Sequence, residues 1–162
     1  MDIVLMQPGH PLWEKTISFA RNGSWKAGPI LADRMIKKQF QDWERVIAAV
    51  DDDRIAGYCT FSEKDELPDE YGYSPFIGFV FVDEQYRGKR LSEQMIRCAC
   101  IYAEEAGYSA VYMMSGEHGL YEKYGFIKIG EYKTIYGTTD QLFQKKLAED
   151  IRAMEQAAEE RA

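Results

Sequence analysis

The chain has 162 residues, 46% of them hydrophobic and 14% aromatic, a length that at roughly 100–200 residues per domain points to one domain with one sizeable core. Asp and Glu outnumber Lys and Arg by 27 to 20, for a formal net charge of −7, and a field of that sign repels nucleic-acid phosphates and anionic membranes, so any bound phosphate must be held locally. Abundant large apolar residues beside 29% charged residues also exclude intrinsic disorder.

In chain order, residues 2–6 (Asp-Ile-Val-Leu-Met) read as a short strand ended by Pro8-Gly9. Pro11 opens a helix through about Arg21, because proline is tolerated in a first helical turn, and Asn22-Gly23 stops it. A second helix follows Pro29, with Leu31, Met35, Ile36, Phe40 and Trp43 on one broad side. Residues 45–50 and 54–62, joined by Asp51-Asp52-Asp53, predict an antiparallel hairpin whose second strand alternates, with Ile55, Gly57, Cys59 and Phe61 on one face. The loop 63–73 is polar, acidic and broken by Pro68 and Gly72. Residues 76–82 (Phe-Ile-Gly-Phe-Val-Phe-Val) are apolar on both faces, the pattern of a strand buried in the middle of a sheet.

Residues 91–106 predict a helix with Leu91, Met95, Cys98, Tyr102 and Ala106 at helical spacing, ended by Gly107. A strand at 110–114 follows, then a short helical turn at 120–124 that Gly125 terminates. Residues 126–136 and 141–147 pair as a hairpin across Gly137-Thr138-Thr139, and Leu147, Ile151, Met154 and Ala158 predict a terminal helix over 148–162. This order gives an α/β fold with a mixed sheet in a single domain spanning 1–162.

Cys59, Cys98 and Cys100 cannot all pair, and with His10 and His118 as the only histidines they match no zinc pattern, so no metal is expected. Unpaired thiols fit a reducing, cytoplasmic setting. No apolar run approaches the roughly 20 residues that span a bilayer, and no basic leader precedes Asp2, so no membrane partner is expected.

The most informative segment runs from Val80 to Glu93: Val-Phe-Val-Asp-Glu-Gln-Tyr-Arg-Gly-Lys-Arg-Leu-Ser-Glu. A buried strand enters a basic loop with one glycine and then a helix. A helix N-terminus exposes unpaired N–H groups and partial positive charge, so this junction can cradle phosphate. Gly88 lets the backbone approach a ligand, and Arg87, Lys89 and Arg90 add local charge. Neither a P-loop nor a dinucleotide fingerprint is present.

On these residues the chain resembles the GNAT superfamily of acyl-CoA-dependent N-acyltransferases. Its signature after the fourth strand is Gln/Arg-x-x-Gly-x-Gly/Ala, whose backbone amides bind the coenzyme A diphosphate. Counted from the strand end, Arg87 takes the first position, Arg90 the first glycine position and Ser92 the last, so both glycine positions depart from the pattern. A second register, Gln85-x-x-Gly88-x-Arg90, lies two residues nearer the strand. Further on, Leu120-Tyr121-Glu122-Lys123-Tyr124-Gly125-Phe126 looks like the Tyr-x-x-x-Gly-Phe segment that closes the cofactor site in many of these enzymes, and one helix and one strand separate the two elements, as in the family.

The resemblance implies a mostly antiparallel sheet flanked by helices and an acetyl-CoA co-substrate. Its diphosphate would sit on Arg87, Gly88, Lys89, Arg90, Leu91, Ser92 and Glu93, and its pantetheine would pair with the edge of Val80, Phe81 and Val82 as an added strand would. A primary amine, on a small molecule or a peptide, attacks the thioester directly, with Tyr121 as the acid that protonates the leaving thiolate. A water chain, Glu117 or His118 could serve as base. Glu63, Asp65, Glu66, Asp69 and Glu70 read either as a solvated loop or as an attractor for a cationic amine. The rival class is an acyl-CoA-holding sensor that does not turn the cofactor over. Oligomeric state is open, and a homodimer is compatible with the sequence.

Overall fold

A computed structural model of the chain describes residues 1–147 and 156–161. It contains strands β1 (Asp2–Met6), β2 (Arg45–Asp51), β3 (Arg54–Ser62), β4 (Phe76–Val82), β5 (Ala110–Ser115), β6 (Ile127–Lys133) and β7 (Thr139–Lys146). The longer helices are α1 (Trp13–Asn22), α2 (Gly28–Ile36) and α3 (Leu91–Glu105). Hydrogen bonding orders one mixed sheet as β1-β2-β3-β4-β5-β7-β6. The pairs β1–β2, β2–β3, β5–β7 and β6–β7 are antiparallel, and β4–β5 is parallel. The mostly antiparallel sheet and the interior place of β4 match the expectation. Of the terminal helix expected over 148–162, residues 156–161 are helical, and 148–155 and 162 lie outside the described residues. The chain divides into two compact units, Met1–Glu63 with Ile77–Ala99, and Lys64–Phe76 with the chain from Cys100 onward.

In the first unit, α1 turns Trp13, Thr16, Ile17 and Ala20 to one buried face, the i, i+3, i+4, i+7 pattern of an amphipathic helix. That face joins Leu31, Ala32 and Met35 of α2 and Val46, Ala48 and Tyr58 of the sheet in one core. The helix α2 stops at Ile36, short of Phe40 and Trp43. Lys38 takes a left-handed φ of 52° while its N–H bonds Met35 O and the Gln39 N–H bonds Arg34 O, the double bond of a Schellman stop. With lysine in place of the usual glycine, nothing in the sequence announced it. Phe40 then folds back edge-on to the Trp13 ring at 5.4 Å, and Trp43 packs on Phe61 at 5.7 Å.

The strand β3 is buried on both faces from Ile55 to Ser62, where one buried face was expected. A Cβ at Gly57 would lie 2.6 Å from the Phe81 carbonyl oxygen of β4 and 3.3 Å from Cε of Met95 in α3, so the missing side chain is what lets β4 and α3 close on this point. In β4 the expectation of full burial holds for Phe76, Ile77 and Gly78, but Phe79 to Val82 are only half-buried. Phe79 adopts a left-handed φ of 49°, which breaks the regular pleat at the point where burial falls.

In the second unit, β5 pairs with β7 and β7 with β6. Leu67, Phe76, Met114 and Leu142 form a core against which Tyr73, Tyr112 and Tyr132 pack half-buried. On α3 the buried row is Leu91, Met95, Ile96, Ala99, Cys100 and Ala103. Cys98 and Tyr102 are half-buried and Ala106 is exposed, because the small alanines of the i, i+4 row do the close packing that size-weighted periodicity assigned to larger residues. No disulfide joins Cys59, Cys98 or Cys100.

Gly57→Ala should destabilise the protein by about 1–3 kcal/mol through overpacking, read as a lower denaturant midpoint at unchanged slope. A midpoint equal to the parent's would show that Phe81 and Met95 move aside freely.

Candidate active site

The first unit carries the basic loop. After β4 the Asp83 N–H bonds Ala56 O at 2.9 Å, and residues Glu84–Tyr86 form one 3-10 turn. Arg87 reaches back to Val82 O at 3.4 Å through Nε. Gly88 then takes φ 84° and Arg90 φ 58°. The Arg90 carbonyl accepts the Gln94 N–H at 3.1 Å, and the Lys89 carbonyl accepts the Gln94 side-chain amide at 3.2 Å. Arg90 is therefore the residue from which α3 springs, and the amides of Leu91, Ser92 and Glu93 belong to the first turn, whose N–H groups have no carbonyl a turn earlier within the helix. A Cβ on Gly88 would meet nothing within 4 Å, so its conformation and not crowding is what favours glycine there. Left-handed backbone costs an arginine on the order of 1–2 kcal/mol, and Arg90 bears it at the position that the first register aligns with a glycine. Arg87, Lys89 and Arg90 are exposed, and Lys89 Nζ lies 5.3 Å from the Tyr86 ring centre. Val80, Phe81 and Val82 are half-buried on β4.

A wall of aromatic rings, which the sequence did not single out, stands beside β4 in the same unit. Trp25, in the connection from α1 to α2, lies flat on Phe81 with ring centres 5.8 Å apart and planes 5° apart. It meets Phe79 edge-on at 6.2 Å, with Tyr58 behind, 5.5 Å from Phe81. Burial pushes the Tyr58 hydroxyl well above the usual tyrosine range. The one available signal was the alternation of Phe79 and Phe81, hidden in a strand apolar on both faces.

The second unit carries Tyr121. The expected short turn is present as a 3-10 turn over Tyr121–Tyr124, ended by Gly125 at φ 92°. The Gly119 N–H bonds the Glu122 carboxylate at 2.9 Å, and Lys145 Nζ caps Tyr124 O at 2.8 Å, so the turn is tied at both ends. Tyr121 is 6% exposed, with its ring edge-on to Phe143, Tyr124 and Phe126 at 6.0, 6.1 and 6.5 Å. Glu117 and His118 are exposed.

The acidic loop is not uniform. Glu63, Asp69 and Glu70 are exposed, and Asp69 is paired with Lys64 at 2.8 Å. Asp65 and Glu66 are half-buried, and Glu66 hydrogen-bonds Asp140 of β7, which is also half-buried. Beside them Tyr71 and Tyr73 of the same loop meet Tyr132 and Tyr112 with ring centres 4.8 and 4.9 Å apart. No sequence signal links Glu66 to Asp140, because the chain completes β4, α3 and β5 between them. Among the described residues no group of three or more His, Cys, Asp or Glu side chains is placed to hold a metal ion, and no helix is long and apolar enough to cross a membrane.

Compared with known proteins, residues 13–126 match the family model described as "Acetyltransferase (GNAT) family". The "uncharacterized N-acetyltransferase YhbS" of Escherichia coli strain K12 is 32% identical over 84 residues, 50% of this chain and 47% of that protein. The chain thus spans about half the length of the curated relatives it matches. Among solved structures, an aminoglycoside 6'-acetyltransferase type Ii is similar at a TM-score of 0.71 and 16% identity, over 91% of this chain and 97% of that one. An aminoglycoside 6'-N-acetyltransferase complexed with coenzyme A is similar at 0.69 and 14%, over the same shares. At these identities the structural likeness shows the fold.

Glu66 gives the site a titration near neutrality. Burial first, then the charges of Asp65 and Asp140 and the hydrogen bond to Asp140, push its carboxyl from 4.5 up to about 7. The folded chain therefore binds this proton more tightly than the unfolded one. The group's contribution is most favourable below pH 4.5, declines as pH rises from 4.5 to about 7, and is flat above. Glu66→Gln removes that slope: thermal unfolding should match the parent near pH 4 and exceed it at pH 8. With solvent screening of a half-exposed group the gain is on the order of 1 kcal/mol, or about 2–4 °C. A gain of equal size at both pH values would assign it to packing instead.

Proposed function

Since the chain belongs to the GNAT acetyltransferase family, whose model covers residues 13–126, we propose that it transfers an acetyl group from acetyl-CoA to a primary amine in a ternary complex. The observation that carries this reading is the loop into α3: Gly88 and Arg90 both left-handed, a helix N-terminus beginning at Leu91, and three cations, Arg87, Lys89 and Arg90, exposed in an acidic chain. This cradle fits a diphosphate, with the amides from Gly88 to Glu93 donating and Lys89 or Arg90 supplying charge. The half-buried edge of Val80 to Val82 offers the backbone groups for a pantetheine arm. A left-handed Arg90 at the family's glycine position supports the register Arg87-x-x-Arg90-x-Ser92.

Acetyl-CoA supplies an activated thioester. A cationic acceptor first gives one proton to base or water, since an ammonium has no lone pair. The neutral amine then forms its C–N bond as the C–S bond breaks and sheds a second proton, and the thiolate takes one. Tyr121 donates that last proton, since a hydroxyl with an unperturbed pKa of about 10 stays protonated at neutral pH. The acceptor is a cationic amine: the carboxyls of Glu66 and Asp140 attract the charge, and the half-buried faces of Tyr73, Tyr112 and Tyr132 complement it. Aminoglycosides, for which two proteins of similar structure are named, are amines of this kind. Three cysteines with no disulfide among them fit a cytoplasmic enzyme. One observation favours the sensor reading instead, the 6% exposure of Tyr121, which suits a packing ring.

Two measurements decide. Gly88→Val should weaken CoA binding at any salt, and Lys89→Ala should weaken it more at low salt than at high, because exposed charge is screened. Calorimetric affinities equal to the parent's in both variants would remove the diphosphate assignment. Tyr121→Phe keeps the ring and deletes the proton, so turnover measured by thiol release should fall on the order of 100- to 10,000-fold while CoA affinity holds. Turnover near the parent rate would leave Tyr121 as packing, and a parent that binds CoA but releases no thiol with any of a panel of amines would favour the sensor.

A further inference from the structure

The aromatic wall beside β4 has a direction relative to the basic loop. The loop follows the C-terminal end of β4, so an arm anchored by phosphate there and running along Val82 and Val80 has its far end at Phe79. That is where φ turns left-handed and the regular pleat stops. At the same point Trp25 meets Phe79 edge-on and lies flat on Phe81. Phe19 adds a further ring 6.1 Å from Phe81 and 5.9 Å from Tyr58. Trp25, Phe79 and Phe81 are half-buried, so the wall reaches solvent, while Tyr58 at its back is fully buried. The segment holding Trp25 is short and fixed: Gly28 N–H bonds Trp25 O at 3.1 Å as α2 begins. The wall is thus apolar and closed behind by Tyr58.

We propose that Trp25, stacked on Phe81 beside the left-handed Phe79, limits the acyl group this protein accepts to a short chain of two or three carbons. The inference rests on the cofactor reading above and adds to it the residue that sets acyl length. Flat stacking leaves no room between the rings for a longer chain to enter, so a longer acyl group would have to displace the indole. Discrimination of this kind is worth about 10- to 200-fold per methylene in an apolar pocket, and it falls when the limiting side chain is cut back.

The test is binding, which needs no knowledge of the acceptor. Dissociation constants for CoA, acetyl-CoA, butyryl-CoA and hexanoyl-CoA are measured by calorimetry on the parent, Trp25→Ala, Trp25→Leu and Trp25→Phe, with a thermal melt of each. The parent should bind acetyl-CoA about as well as CoA and butyryl-CoA on the order of 10-fold or more weaker. Trp25→Ala should erase that difference, Trp25→Leu should reduce it, and Trp25→Phe should keep most of it, all with CoA affinity unchanged. Should Trp25→Ala fail to melt cooperatively, Trp25→Leu and Trp25→Phe carry the comparison. A parent that binds no CoA overturns the cofactor reading itself. A parent that binds CoA but does not discriminate by chain length, or folded variants that keep the parent's profile, overturn the role of Trp25 and leave the cofactor reading standing.

Discussion

The rest of the first unit depends on one close approach of backbone to backbone. At Gly57, β3 offers no side chain, and the Phe81 carbonyl of β4 occupies the space a Cβ would need. Because the two strands meet there, Asp83 can bond back to Ala56 and the chain leaves β4 in a defined direction. That direction sets where Arg87, Gly88 and Arg90 turn and where α3 starts, so the placing of the loop and of the first helical turn is inherited from a packing constraint between β3 and β4. Packing supplies the geometry, and the local charges of the loop act within it against an overall negative field.

Strain is concentrated at the same place. Among the described non-glycine residues, Lys38, Asp52, Phe79 and Arg90 have positive φ. Lys38 ends a helix and Asp52 makes the tight turn between β2 and β3, uses that need no ligand to explain them. Phe79 lies inside a strand and Arg90 at a helix start, where the chain could have stayed regular. Strain of this kind persists only where the surroundings over-determine it, and it clusters at functional sites. These two residues bracket the half-buried stretch of β4 and the basic loop that follows it.

Features written in consecutive residues were legible. The two-sided apolarity of residues 76–82, the basic loop, and the Tyr121 turn with Gly125 at its end are all local patterns, and the structure has an element at each. Features that join distant residues, or that depend on backbone angle, were not. The helix stop at Lys38 carries no glycine to mark it. The pairing of Glu66 with Asp140 crosses half the chain, and Trp25 sits in a connection with no periodicity to give it a face. Burial on both sides of β3 was not legible because Thr60 and Ser62 on its second face are polar residue types, although both are buried beside Ala56 and Tyr58. For the candidate site, then, sequence reached the basic loop before α3 and left unread the aromatic wall beside β4.

The proton that Glu66 holds beside Asp140 also changes what the formal charge means. A net charge of −7 counts every carboxyl as ionised, yet the Glu66 carboxyl, pushed up to about 7, keeps its proton well above the usual carboxylate range. A positive charge arriving beside the pair favours the ionised form and expels the remaining fraction of that proton. The heat of such an arrival would depend on the ionisation enthalpy of the surrounding buffer, so the protein's proton inventory becomes a register of what has come to rest against it.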